Sequence, residues 1–291
     1  MTTSPRSKTI SEPHNWRTTV ELVLAALVLY IIVGAPGLGA IALSRYVTSE
    51  IATSATGYAS NSTLITPSPD LHCVEHKYEA RVFSTRPLII YIDGFLSESE
   101  AAHLIDRSSD KWQTSTIYNN GVETTDSTVR KSERALLDRD HTVQCLESRA
   151  LTIQGWPAIT YIEQLWTQRY NVSGHYAMHY DWASDSKVAR RASTFNVYVQ
   201  APQRGGGTHF PRLQHPGRES KWCEFIDCVL GTDPDNASNI GVVFKPRAGA
   251  AVFWQNFDEE GRGFRETIHA GLPVLEGSKI GLNIWSWYQK T

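Results

Sequence analysis

The sequence has almost no excess charge. Its 291 residues carry 28 Lys and Arg against 30 Asp and Glu, a formal net charge of −2. Nucleic-acid-binding domains are usually basic, with Lys and Arg clustered on one face, so we expect no nucleic-acid partner. No internal repeat period stands out either. A chain of this length, with 41% hydrophobic residues, can form one large or two small domains with a substantial core.

Cysteine is also scarce, with only Cys73, Cys145, Cys223 and Cys228. A structural zinc site uses four ligands, and the C-x4-C spacing of Cys223 and Cys228 has no second pair to complete such a site. An even number of cysteines in an oxidising compartment favours disulfides. We therefore predict a disulfide between Cys223 and Cys228 across a short loop.

Charge is absent from residues 22–43, "LVLAALVLYIIVGAPGLGAIAL". A helix of that length spans the roughly 30 Å hydrocarbon core of a bilayer, and basic residues precede it. We predict a cytosolic tail (1–21), a transmembrane signal anchor (22–44) and a single-pass type II protein of the endoplasmic reticulum or Golgi membrane. The alternative is a signal peptide cleaved near Ala40-Ile41-Ala42. Both interpretations send the rest of the chain into the secretory pathway.

Residues 45–80 lack helical or strand periodicity and are rich in Ser, Thr, Ala and Pro, which predicts a flexible stem. Sequons at Asn61, Asn171 and Asn236 predict a glycoprotein. Residues 81–291 then form the folded domain.

The sequence pattern in the first part of that domain predicts helices. An apolar strand at Leu88–Ile92 is followed by a capping box, Ser97 with Glu100, at the start of a helix. We expect a second helix from near Asp140 and a short third one after Pro157, with Ile159, Ile162 and Leu165 facing inward.

From about Trp166 the chain changes to short β-branched or aromatic runs separated by Gly and Pro. Many short strands with regular breaks favour a sandwich, barrel or jelly roll. The predicted fold is α+β with a mainly β core, and the N-terminal helices cover one face of a sheet.

His179 and Asp181 are two residues apart in "YNVSGHYAMHYDW", so on a strand both side chains point to one face. A third ligand is needed, and His209, His215 and His269 are candidates. Two His and one carboxylate form the facial triad of non-haem Fe(II) oxygenases. Zinc hydrolases use similar ligands, but the H-E-x-x-H arrangement with its general base is missing.

Five motifs resemble those of the prolyl 4-hydroxylase alpha-subunit type of 2-oxoglutarate/Fe(II) dioxygenase, in a form typical of membrane-anchored fungal members. Residues 88–288 carry the resemblance. The motifs are "YNVSGHYAMHYD" for Y-x(5)-Y-x-x-H-x-D, "RRASTFNVYVQ", "GGGTHFP" for G-G-E-T-x-F-P, "KPRAGAAVFW" and "HAGLPVLEGSK" for H-x-x-x-P-V-x-x-G-x-K.

The resemblance implies a double-stranded β-helix, with Fe(II), 2-oxoglutarate, dioxygen and ascorbate as cofactors and cosubstrates. His179, Asp181 and His269 would bind iron, and Lys279 would bind the distal carboxylate of 2-oxoglutarate. Tyr170, Tyr198 and Thr208 would supply hydroxyl groups to the same cosubstrate.

The implied activity is that of a procollagen-proline 4-dioxygenase-like enzyme, hydroxylating C4 of prolyl residues in luminal polypeptides. Arg130, Ser132, Arg191 and Trp287 resemble positions of a peptide groove. Two departures bear on the substrate: Gly207 replaces the usual Glu, and Trp287 replaces a His. The alternatives are a hydroxylase of a small molecule and a non-catalytic jelly-roll binding module. The oligomeric state stays open.

Overall fold

The computed structural model describes residues 64–65, 70–119, 122–155, 160–182, 189–229 and 241–289. The tail and anchor predicted for residues 1–44, most of the stem, and the sequons at Asn61 and Asn236 lie outside these residues. A search of the described helices finds none that is long and apolar enough to cross a bilayer.

Two α-helices form where the sequence predicts them. Helix α1, Glu98–Ser108, begins at the expected capping box: the Ser97 hydroxyl accepts from the Glu100 amide, and the Glu100 carboxylate accepts from the Ser97 amide. Helix α2, His141–Gln154, begins where the Asp140 carboxylate accepts from the amide of Val143. Each cap satisfies amide groups that a helix start leaves without partners.

The third predicted helix is wrong. Thr160–Glu163 is a strand that pairs antiparallel with residues 286–288. Ile162 and Leu165 do point inward, with 0% and 1% of their surface exposed, but burial alternates along the strand. A short run such as Thr-Tyr-Ile fits both periods, and its β-branched and aromatic residues favour the sheet.

The larger sheet is antiparallel and contains ten of the described strands. Its main order is β2-β3-β16-β12-β19-β10-β8-β4, and β9 joins β19 to β1. The strands are β1 (Leu64–Ile65), β2 (Glu79–Thr85), β3 (Leu88–Asp93), β4 (Gln113–Thr114), β8 (Glu133–Leu136), β9 (Thr160–Glu163), β10 (Trp166–Tyr170), β12 (Ala189–Gln200), β16 (Ala251–Gln255) and β19 (Lys279–Gln289).

The smaller sheet has the order β15-β14-β17-β11-β7, and two pairs, β5-β6 and β13-β18, stand apart from it. The strands are β5 (Ile117–Asn119), β6 (Val122–Thr124), β7 (Arg130–Lys131), β11 (His175–His179), β13 (Arg204–Gly205), β14 (Thr208–Phe210), β15 (Val242–Phe244), β17 (His269–Gly271) and β18 (Val274–Glu276). Short 3₁₀ helices occupy Lys221–Glu224 and Arg265–Thr267.

The larger sheet buries both faces. One face packs on the helices, with Phe195, Val197 and Leu282 against Leu104 and Leu146. The other face meets the smaller sheet in a second core that includes Tyr198, Trp254, Phe210 and Phe244. The mainly β fold with few helices agrees with the predicted jelly roll.

Strand alternation divides polar from apolar side chains on β12. Phe195 and Val197 face the helices, so Thr194, Asn196 and Tyr198 face the space between the sheets. Lys279, Asn283 and Trp285 of β19 share that face through their pairing with β12 and β10. The polar residues of the jelly-roll interior therefore come from its two central strands.

Candidate iron and 2-oxoglutarate site

His179, Asp181 and His269 come together at one end of the smaller sheet. His179 ends β11 and His269 begins β17, and the two are direct partners in the antiparallel register. The Nε2 atom of His179 lies 3.7 Å from Oδ1 of Asp181, and the Nε2 atom of His269 lies 3.9 Å from Oδ2. One ligand atom from each residue lies within 4.8 Å of the others.

Backbone carbonyls fix the tautomer of both imidazoles. Nδ1 of His179 lies 2.8 Å from the carbonyl of Ala177, and Nδ1 of His269 lies 2.9 Å from the carbonyl of Thr267. A carbonyl oxygen can only accept, so Nδ1 carries the proton and Nε2 keeps its lone pair. Burial, reinforced by His269, lowers the pKa of His179, which keeps its ring neutral and able to bind a metal.

Two hydrogen bonds to one oxygen fix the orientation of the Asp181 carboxylate. Its Oδ2 accepts from the Thr194 hydroxyl at 2.8 Å and from Nε1 of Trp285 at 3.1 Å. Burial would raise the pKa of Asp181, but the two histidines, Arg191 and the Trp285 N–H outweigh it and lower the pKa. The carboxylate is therefore ionised, with Oδ1 turned toward Nε2 of His179.

These three residues fit the Fe(II) centre predicted from the sequence. Two neutral imidazoles and one ionised carboxylate are the donor set of a 2-His-1-carboxylate triad, which leaves further positions open. Partners of the ligands, here Ala177, Thr267, Thr194 and Trp285, set the orientation of each donor.

Lys279 provides a buried cation in the same interior. Only 4% of its surface is exposed, and Nζ donates to the carbonyl of Gly206 at 2.8 Å. Among the described acidic residues, none forms an ion pair with it. Burial lowers the pKa of Lys279 to about 8. A buried ammonium without a carboxylate partner is costly, and a bound anion removes that cost.

The three hydroxyl residues predicted for the cosubstrate surround Lys279. Its Nζ lies 5.5 Å from the ring centre of Tyr170 and 5.1 Å from that of Tyr198. The Tyr198 hydroxyl donates to Oγ1 of Thr208 at 2.8 Å, and Thr208 donates to Oδ1 of Asn196 at 2.9 Å. The structure thus places the predicted dicarboxylate-binding residues in one cluster.

The glycines of "GGGT" explain one departure from the family pattern. Gly206 has φ +72, a conformation that favours glycine, and it turns its carbonyl to Lys279. A Cβ on Gly207 would lie 2.7 Å from Cγ1 of Val243 and 3.1 Å from the carbonyl of Phe244. The Glu that the family carries at this position would therefore require Val243 to move.

Arg130 and Ser132 lie on the β11 side of the triad. The Arg130 guanidinium covers the ring of Tyr176 at 4.6 Å, and that ring stacks on His179 at 3.7 Å. Ser132 accepts from Nε of Arg130 at 3.0 Å. Both residues line a cavity of about 450 Å³, together with Thr114, Ser115, Lys131, Arg169, Asn171 and others. We call this cavity the polar cleft.

Arg191 and Trp287 share a partner. Glu163 accepts two hydrogen bonds from Arg191, both at 2.8 Å, and one from Nε1 of Trp287 at 2.9 Å. The sequence places Arg191 in a peptide groove, and the structure shows it in a bidentate ion pair. Arg130 is thus hydrogen-bonded to Ser132, whereas Arg191 and Trp287 are both hydrogen-bonded to Glu163.

Sequence reasoning missed Glu163, Thr194 and Trp285. Trp285 could have been found, because Lys279 to Trp287 alternate in one strand and place residues 279, 281, 283, 285 and 287 on one face. Thr194 lies in "RRASTFNVYVQ", and nothing in this sequence indicates that its hydroxyl contacts Asp181. Glu163 was missed because the sequence predicts a helix after Pro157, whereas this residue lies in a strand.

Comparison with known proteins identifies the same chemistry. Residues 165–287 match the model of the 2OG-Fe(II) oxygenase superfamily. "Prolyl 4-hydroxylase 2" of Arabidopsis thaliana is 27% identical over 235 residues, which is 77% of this chain and 75% of that protein. "Prolyl 4-hydroxylase subunit alpha-3" of Mus musculus is 28% identical over 214 residues, which is 70% of this chain and 34% of that subunit.

A solved structure of viral collagen prolyl hydroxylase vCPH from Paramecium Bursaria Chlorella virus-1, a 2OG complex, is 26% identical, with a TM-score of 0.48. The match covers 68% of this chain and 95% of the viral chain. The family match, the curated relatives and the His-Asp-His site together support a prolyl 4-hydroxylase-like 2-oxoglutarate/Fe(II) oxygenase. Its cofactors are Fe(II), 2-oxoglutarate and dioxygen, and ascorbate is typical of prolyl 4-hydroxylases.

Iron and 2-oxoglutarate together supply the oxidising chemistry when they are bound. The chain's own residues do the rest. His179, Asp181 and His269 would hold the metal, while Lys279 would orient the far carboxylate of the cosubstrate. The apolar side chains around them, such as Phe210 and Trp254, exclude water from His269, with ring centres 5.4 Å and 4.7 Å from the imidazole.

Proposed function

We propose that this oxygenase hydroxylates C4 of prolyl residues in polypeptides. The overall reaction would convert 2-oxoglutarate, dioxygen and a prolyl C–H into succinate, carbon dioxide and hydroxyproline. The observation that carries the proposal is the similarity to prolyl 4-hydroxylases across 77% of the chain. The arrangement around His179 is compatible with it, because Arg130 of the polar cleft covers the Tyr176 ring that stacks on His179.

The polar cleft suits an extended peptide. It begins at Arg130 and Ser132, one aromatic ring away from His179. Its lining contains the hydroxyl groups of Thr114, Ser115 and Ser132 and the amide of Asn171. Such groups bind the free carbonyl and amide groups of a peptide in the polyproline II conformation, which makes no internal hydrogen bonds. Orientation of one ring carbon over the metal would follow from these contacts.

The second candidate is hydroxylation of a small molecule. The observation that favours it is the pairing of Arg191, whose guanidinium donates two hydrogen bonds to Glu163. Fewer of its N–H groups are therefore left to bind peptide carbonyls. Trp287, anchored to the same Glu163, offers a flat apolar surface that suits a prolyl ring or a flat small molecule.

The test is product analysis with a panel of proline-rich peptides and free small molecules, in the presence of Fe(II), ascorbate and 2-oxoglutarate. Formation of 4-hydroxyproline in a peptide supports the proposal. Exchange of Arg130 for Ala should raise the KM for the peptide and leave the KM for 2-oxoglutarate unchanged. Oxidation of free small molecules alone would replace the prolyl assignment with the second candidate.

We also propose that the catalytic domain faces the lumen of the secretory pathway, anchored by residues 22–44. The uncharged run at that position supports a membrane anchor. Two disulfides support an oxidising compartment: Cys73 with Cys145, and Cys223 with Cys228 as the sequence predicts. In intact microsomes the domain should resist added protease until detergent is present. Digestion without detergent would contradict the luminal orientation.

A further inference from the structure

Arg191 and the iron ligand Asp181 are connected through one indole ring. The centre of the Arg191 guanidinium lies 3.6 Å from the centre of the Trp285 ring. Nε1 of the same ring donates to Oδ2 of Asp181 at 3.1 Å. Glu163 holds the guanidinium from its other edge by two hydrogen bonds of 2.8 Å. A continuous chain of contacts therefore runs from Glu163 to the metal ligand.

Each contact in this chain restricts the next one. A bidentate Arg–carboxylate pair fixes both the position and the plane of the guanidinium. A guanidinium stacked on an indole keeps that ring in its plane. The N–H of a fixed indole then has one direction, and it points at Oδ2 of Asp181. Only 25% of the Arg191 side chain and 18% of the Glu163 side chain are exposed, so water weakens this pair less than a surface pair.

We propose that Glu163 and Arg191 are positioning residues for the iron site, acting through Trp285 on Asp181. Their function is to fix the orientation of the Asp181 carboxylate beside Nε2 of His179 and Nε2 of His269. This role differs from the peptide-groove role that the resemblance implies for Arg191. It does not depend on the substrate, because every contact in the chain lies within the protein.

The chain offers a matched control on the same sheet. Arg134 covers the ring of Trp166 at 4.6 Å and donates to Glu123 at 2.8 Å. Its side chain is also 25% exposed, so it forms the same kind of Arg–Trp stack and Arg–Glu pair. Neither Arg134 nor Trp166 has a hydrogen bond to a metal ligand among the described contacts. Arg134→Ala therefore removes similar interactions without reaching Asp181.

The test measures metal binding by the intact apo protein, without oxygen and without substrate. Mn(II) is the probe, and its Kd is obtained by calorimetric titration. Trp285→Phe keeps an aromatic ring for Arg191 to stack on but removes the N–H donor. Removal of such a partner of a metal ligand typically weakens metal binding 10- to 100-fold. We expect Trp285→Phe to raise the Kd about 10-fold, and Arg191→Ala to raise it by a similar factor.

The double variant decides whether Arg191 acts through Trp285. If it does, Arg191→Ala combined with Trp285→Phe raises the Kd no further than Trp285→Phe alone. Arg191→Lys should fail to restore binding, because an ammonium lacks the planar fork that spans Glu163 and the indole. Glu163→Gln should weaken binding in the same direction, and it serves as the second variant if Arg191→Ala does not fold.

Three results would overturn the proposal. The first is an unchanged Mn(II) Kd in Arg191→Ala together with a raised KM for a peptide substrate, which would leave Arg191 as a groove residue. The second is a Mn(II) Kd of the double variant that is raised by the product of the two factors found for the single variants. The third is equal weakening of Mn(II) binding by Arg134→Ala, which would show that any lost Arg–Trp stack on this sheet has the same effect.

Discussion

His179 and His269 are direct partners across two antiparallel strands, with ring centres 4.2 Å apart, although 90 positions separate them in the sequence. Their pairing fixes two metal ligands by backbone hydrogen bonds before any side chain is placed. Asp181 lies two residues after His179, in the bend that follows β11, and its carboxylate reaches the same space. The smaller sheet therefore builds the iron site, and the larger sheet supplies Lys279 and the partners of Asp181.

Lys279→Ala should raise the apparent KM for 2-oxoglutarate strongly. Loss of one partner from a buried hydrogen-bonded charge pair costs about 2–5 kcal/mol, which is at least ~30-fold in affinity. The measurement is succinate formation at varied 2-oxoglutarate. Lys245→Ala is the control, because Lys245 is exposed and donates to the carbonyl of Cys223 outside the polar cleft. An unchanged KM in Lys279→Ala would mean that another residue holds the carboxylate.

Binding of 2-oxoglutarate should weaken as the pH rises above about 8. Burial lowers the pKa of Lys279 to about 8, so the free enzyme loses the binding charge above that pH, and binding must then take up a proton. Affinity should fall up to tenfold per pH unit beyond pH 8. Lys279→Arg keeps its charge over this range and should remove the dependence. A profile that persists in Lys279→Arg would assign the titration to another group.

Thr208→Val should destabilise the fold and weaken 2-oxoglutarate binding together. The Thr208 hydroxyl joins the Tyr198 hydroxyl to Asn196, and it is 3% exposed. Its removal leaves the buried Tyr198 hydroxyl and Oδ1 of the half-buried Asn196 without this partner, at a cost of about 1–3 kcal/mol in the free energy of unfolding. Urea unfolding measures this change. Thr208→Ser keeps the hydroxyl and should lose less; equal losses in both variants would contradict the hydrogen-bond explanation.

The two disulfides should contribute unequally to stability. Cys73–Cys145 closes a loop with a sequence separation of 72, and Cys223–Cys228 one with a separation of 5. Loop-closure entropy gives about 4 kcal/mol for the longer loop and about 2 kcal/mol for the shorter one. Double Ser variants of each pair, compared by Tm, should show the larger drop for Cys73 and Cys145. A larger drop for Cys223 and Cys228 would contradict the entropic account.

Much of the site could be predicted from the sequence because its residues lie in strands or, like Asp181, directly after one. The two-residue spacing of His179 and Asp181 defines one face, and a buried Lys279 in an apolar run demands an anionic partner. The capping residues Ser97 and Asp140 gave helices α1 and α2 their starts for the same local reason.

The partners of the ligands could not be predicted in this way. Glu163 contacts Arg191 across 28 positions, and Trp285 contacts Asp181 across 104. Such contacts depend on the order of the strands in the sheet. The alternation of side chains along a single strand does not specify that order. The short run at Thr160–Glu163 fits both the helical and the strand period, and in the structure it pairs with β19 as a strand.

The most direct test of the iron site is succinate formation by the intact enzyme and by His269→Ala, each with Fe(II), ascorbate and 2-oxoglutarate. The account predicts oxygen-dependent succinate from the intact enzyme and none from His269→Ala, with both proteins folded by circular dichroism. His209→Ala, which alters the neighbouring strand β14 outside the triad, should retain the activity. Unchanged succinate formation by a folded His269→Ala enzyme would contradict the assignment of His179, Asp181 and His269 as the metal ligands.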